Sequence, residues 1–143
     1  MTHGEVIDRH LRDLEQMVAQ LQRHQGRSLD ELRADQLLSL AVERALQRAI
    51  QNLLDISIHL LSGAGINDWD DYRGAILKLG EAGVVPREFA ERISGMAGLR
   101  NILVHGYLEV EIDKIWEILH HHLDDFRTFA RYIVECLTRE EGL

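Results

Sequence analysis

Apolar residues recur at steps of three and four along most of this chain, and no stretch alternates as a strand would. Val6 or Ile7, His10 or Leu11, Leu14, Met17 or Val18 and Leu21 predict a helix with one buried face from roughly Glu5 to His24. Ser28-Leu29-Asp30-Glu31 matches a capping box, so a second helix begins there or shortly after. Its stripe is Leu38, Val42, Ala45, Ala49, Leu53, Ile56 and Leu60, widened by Leu46 and Ile50, until Ser62-Gly63-Ala64-Gly65 stops it. A shorter helix is expected from about Asp70 to Ala82, closed by Gly83 and the β-branched pair Val84-Val85. Pro86 suits the first turn of the next, whose inward line runs Phe89, Ile93, Met96, Arg100 and Leu103. The last, from about Asp113 to Thr138, carries Ile112, Ile115 or Trp116, Leu119, Leu123, Phe126, Ala130, Ile133 and Leu137. Four long segments and one short one predict an all-α fold, an antiparallel four-helix bundle with one additional short helix.

A chain of 143 residues, 45% apolar, is expected to form a single domain over 1–143 with its own core. Cys136 is the only cysteine, which removes an intrachain disulfide and the paired-cysteine spacings of zinc and redox motifs. We expect no metal site and no cofactor. The segment MTHGEVIDRHLRDLEQ is charged from Glu5 onward and lacks the apolar core of a signal peptide, and no run approaches a membrane span. The expectation is a soluble, cytoplasmic protein with no membrane partner. A net charge of −8 argues against broad, charge-driven binding to nucleic acid, so any such chemistry must be local.

That directs attention to the charge on the inward line. Within "LRNILVHGYLEV", residues 99–110, Arg100, Asn101, His105 and Tyr107 are the only polar side chains between Leu99 and Leu108. Arginine, four residues, histidine, one residue, tyrosine is a pattern that resembles the HEPN superfamily, specifically the HepT-like toxins of bacteria and archaea. "AVERALQRAIQNLLDISIHLL" (41–61), "GVVPREFAERISGMAGLRN" (83–101) and "MAGLRNILVHGYLEVE" (96–111) resemble the same family, and the all-helical order extends the likeness over most of the chain.

The resemblance implies a metal-independent endoribonuclease, usually a homodimer, encoded with a small MntA-like nucleotidyltransferase antitoxin that adds AMP to the motif tyrosine. By position, Arg100 and His105 would be the catalytic pair, Asn101 their polar support and Tyr107 the modified hydroxyl. The residue types suit that chemistry. Histidine titrates near neutrality and can move the protons, whereas arginine keeps its charge and grips phosphate oxygens with a planar fork. On a regular helix Arg100 and His105 stand about 140° apart, so they do not share a face. Either the helix ends at Gly106 and the imidazole swings back, or two subunits pool their residues in one cleft, which supplies both an acid and a base. The second arrangement is favoured, with Arg44 and Arg48 of the second helix adding phosphate contacts to an RNA substrate.

Other readings stay open. Arg100 could form a buried ion pair with Glu43 or Asp55, while His105 caps carbonyls and Tyr107 packs its ring. A non-catalytic helical subunit that binds a minimal nucleotidyltransferase is the alternative function. His120-His121-His122 reads as a solvated face, because consecutive helical residues diverge by about 100°. His59, four residues after Asp55, reads as a structural hydrogen-bond partner. Trp69 and Tyr72 divide evenly between core packing and an exposed acidic-aromatic patch.

Overall fold

The computed structural model describes residues 2–105 and 112–141, with the backbone alone for His105 and Glu141. Among them eight helices and no strand occur: α1 (His3–Gln22), α2 (Leu29–Ala34), α3 (Gln36–Gly63), α4 (Tyr72–Glu81), α5 (Arg87–Ile93), α6 (Met96–His105), α7 (Ile112–His121) and α8 (Leu123–Glu141).

α3 is the spine of the molecule. Val42, Leu46, Ala49, Ile50, Leu53, Leu54, Ile56, Leu60 and Leu61 bury almost completely along its length. This exceeds a single amphipathic stripe, as expected of a helix with neighbours on several sides. α1 lies antiparallel to it: His3 reaches Gly63 at one end and Asp13 reaches Arg48 further along. The seam between them is polar as well as apolar. Asn52, 6% exposed, donates from Nδ2 to Asp13 Oδ2 at 2.7 Å, so its oxygen faces His10 Nδ1 at 2.8 Å and accepts that ring's proton. Ile115, Leu119, Leu123, Phe126, Phe129 and Ile133 of α7 and α8 complete the core.

Three of the expected long helices are interrupted. Asp35 leaves helical geometry at φ −116°, ψ 98° and caps the new N-terminus by accepting from the Leu38 amide, which separates α2 from α3. Ser94 donates its hydroxyl to the Glu91 carbonyl ahead of Gly95, separating α5 from α6. His122 separates α7 from α8, where Asp125, 9% exposed, ties the break to Arg92 of α5 at 2.6 Å. The Ser28 capping box forms with both of its hydrogen bonds, and Pro86 stands at the N-cap of α5, one position before its first turn.

α4 and α5 approach closely at Gly80. A β-carbon there would lie 2.9 Å from Ala90 Cβ and 3.3 Å from Arg87 Cα, so only hydrogen fits. At the other end of α4, Tyr72 lies against Arg100 of α6, the helix that carries the motif.

Candidate functional site

Arg100 comes from the middle of α6 and is half-buried against α3 and α4. Its Nε donates to Gln51 Oε1 at 3.0 Å, and its Nη1 donates to Asn101 Oδ1 at 3.1 Å. Beneath the guanidinium, 5.2 Å from its carbon, lies the ring of Tyr72, the first residue of α4. Cation–π attraction of this kind strengthens as water is excluded. Gln51 in turn donates from Nε2 to Asp55 Oδ1 at 2.8 Å, one turn further along α3. In place of the alternative ion pair with Glu43 or Asp55 there is an amide bridge: among the described residues Asp55 reaches Arg100 only through Gln51, and Glu43 is not among its partners.

Asn101 is exposed and turned back onto Arg100. The backbone of His105 closes α6 as described, and its side chain lies outside the described residues, as does Tyr107 altogether. Arg44 is exposed on α3, seven residues before Gln51 and so on nearly the same face. Arg48 is ion-paired with Asp13 of α1 near the surface, where such a pair contributes little to stability. Burial without a cationic partner pushes the Glu43 carboxyl above the ordinary range.

The remaining histidines go elsewhere. His120 stacks on Trp116 with ring centroids 4.2 Å apart and bonds the Trp116 carbonyl through Nδ1, while His122 faces Asp125 and Glu117. His59 lies among the rings of His3 and His10 rather than against Asp55, whose partner is Gln51. No group of three or more metal-binding side chains converges among the described residues. Trp69 is half-buried with its indole N–H on the Ile66 carbonyl, and Tyr72 belongs to the Arg100 pocket.

A family model described as "Ribonuclease HepT-like" matches residues 5–133. The chain belongs to this family. Its HepT-like sequence is 28% identical over 141 residues to a tRNA nuclease HepT of Aphanizomenon flos-aquae, covering 95% of this chain and 93% of that one. It is 30% identical over 88 residues to an mRNA nuclease HepT of Shewanella oneidensis, a stretch spanning 66% of that protein's length. The HepT-like fold agrees with solved structures. A tri-AMPylated HEPN toxin of Shewanella oneidensis bound to an MNT antitoxin aligns with TM-score 0.81 at 24% identity, over 91% of this chain and 97% of that one. A cytosolic protein of unknown function, YutE of Bacillus subtilis, aligns with TM-score 0.85 at 19% identity, over 98% and 94%. No helix among the described residues is long and apolar enough to cross a membrane.

The sequence pointed to Arg100 but not to its setting. Gln51 and Tyr72 carry no motif of their own, and the one available signal was that Gln51 falls seven residues after Arg44 and four before Asp55 on a single helix.

Proposed function

We propose that this HepT-like chain is a metal-independent endoribonuclease toxin that cuts RNA through Arg100 and His105. The carrying observation is the Arg100 guanidinium, held among the described residues by three neutral groups, Gln51, Asn101 and Tyr72, which orient its charge without cancelling it. A half-buried cation whose partners among the described residues are neutral is suited to a phosphate and to the extra charge of a phosphorane.

In the cleavage step the ribose 2′-oxygen attacks phosphorus and the bond to the 5′-oxygen breaks. One proton leaves the 2′-hydroxyl and one is delivered to the departing oxygen, giving a 2′,3′-cyclic phosphate and a 5′-hydroxyl. Arg100 stabilises the phosphorane and His105 transfers protons. Both residues lie on one continuous helix, about 140° and roughly 7.5 Å apart by helical geometry, so a single α6 does not present them to one phosphate together. A homodimer resolves this by facing two copies of α6 across an axis, and Arg44 extends the positive surface along α3.

Regulation follows from the position of Tyr107, two residues beyond His105. A nucleotidyltransferase antitoxin of the MNT or MntA kind transfers AMP to its hydroxyl, releasing pyrophosphate from ATP. The added phosphate competes with RNA for Arg100. Support comes from the AMPylated toxin in the Shewanella complex.

The deciding experiment is cleavage of labelled RNA in EDTA by protein shown by mass to lack AMP, beside folded R100A and H105A. Cyclic-phosphate ends from the wild type alone are expected. Absence of cleavage, or equal cleavage by H105A, would refute the reading.

A further inference from the structure

The groups that hold Arg100 do more than satisfy its hydrogen bonds. A glutamine amide can turn over, and in the wrong orientation it would aim N–H donors at a guanidinium that has only donors itself. Asp55 prevents this. Because its Oδ1 accepts from Gln51 Nε2 at 2.8 Å, Gln51 Oε1 must point the other way, onto Arg100 Nε at 3.0 Å. Gln51 and Asp55 stand four apart on α3, the most deeply buried helix, so the anchor is rigid. Tyr72 limits rotation of the guanidinium plane from below. With Nε on Gln51 and Nη1 on Asn101, Nη2 has no hydrogen-bond partner among the described residues and is the atom placed to receive phosphate.

We infer that Gln51 is the positioning residue of Arg100, its orientation fixed by Asp55, a role whose catalytic consequence rests on the ribonuclease reading above. The choice of an amide has a physical basis. A carboxylate at this position would hold the arginine equally well but would cancel its charge, whereas a neutral acceptor directs the fork and keeps the charge for the substrate.

The test compares Gln51→Met, which keeps the side-chain length and removes both polar atoms, with Gln47→Met one turn earlier on α3. Two quantities are read on the full-length unmodified protein: kcat and KM on an RNA oligonucleotide, and the solvent exchange of the Arg100 Nε proton by NMR, assigned with R100K. Q51M is expected to lose on the order of tenfold or more in kcat with KM changed less than about twofold. Its Nε proton is expected to exchange on the order of tenfold faster. Q47M should match the wild type in both. A purely structural Gln51 would lower the melting temperature and leave kcat of the folded protein unchanged; that result, or an unchanged exchange rate, overturns the proposal. Should Q51M fail to fold, D55A makes the same test, because it leaves Gln51 in place but lets its amide turn; wild-type values in D55A overturn the proposal equally. If the wild type cuts no RNA while Q51M still releases the Nε proton, the ribonuclease reading fails and the Gln51 clamp stands.

Discussion

Tyr107 and Glu43 each give a prediction at the scale of one side chain. In the proposed regulation Tyr107 contributes only its hydroxyl, so Tyr107→Phe should cleave RNA within about twofold of the wild type yet stay active after incubation with antitoxin and ATP. Silencing of Y107F under those conditions would place the acceptor elsewhere. The pKa of Glu43 is raised by burial. The folded state therefore holds the proton more tightly than the unfolded chain does. Its contribution to stability is fully present below the unfolded pKa and is lost as pH rises through the folded one. Glu43→Gln should melt higher than the wild type near pH 7 and lose that advantage near pH 4; a difference that grows in acid would contradict the assigned burial. Arg100 was legible because a charge interrupted an apolar line. Its partner was not, since Gln51 is neutral and 49 positions away, and sequence logic looks first for an opposite charge such as Asp55.

Hydrophobic periodicity located the helices but passed over their breaks. Phe89, Ile93 and Met96 keep the step of three or four across the Ser94–Gly95 interruption, so the pattern reads as one helix where the backbone makes two, α5 and α6. The same holds for Leu119 and Leu123 across His122. Such breaks are set by local hydrogen bonds and by tertiary ties such as Arg92 to Asp125, neither of which has a period. Close helix approach is equally silent in the pattern, and Gly80 shows its cost. Gly80→Ala must push α4 from α5, because the new methyl would meet Ala90 Cβ at 2.9 Å and Arg87 Cα at 3.3 Å. The expected loss is about 1–3 kcal/mol, seen as a melting temperature lower by several degrees. Gly98 on α6 is the internal comparison, with no described atom within 4 Å of its would-be β-carbon. Gly98→Ala should be neutral or stabilising by up to about 1 kcal/mol through helix propensity. Equal melting of the two variants would mean that α4 and α5 do not touch as described. Because α4 also brings Tyr72 under Arg100, G80A should lose cleavage along with stability.

At the scale of the molecule, the decisive quantity is the number of proton-transfer groups per cleft. In the proposed reaction cleavage moves two protons, the motif supplies one histidine, and on a regular helix positions 100 and 105 stand about 140° apart. In the proposed homodimer a second copy of the chain would supply the missing group without any new residue type. The surface accommodates it: Leu37 and Leu40 at the start of α3 are 80% and 53% exposed, and Ile102 and Val104 on α6 are 47% and 39% exposed, all large apolar side chains on the two helices that flank the site. Leu37→Lys with Leu40→Lys should therefore shift sedimentation from dimer to monomer at micromolar concentration and lower cleavage by on the order of a hundredfold, with the monomer still folded. Mixing distinguishes a shared cleft from two independent ones. In a shared cleft, excess H105A exchanged into the wild type leaves each mixed dimer with a single histidine, and the rate per wild-type subunit falls steeply as H105A is added. In independent clefts each wild-type subunit keeps its own arginine and histidine, and the rate per wild-type subunit stays constant at every ratio, a result that would return the whole reaction to one chain and require a second proton-transfer group within it.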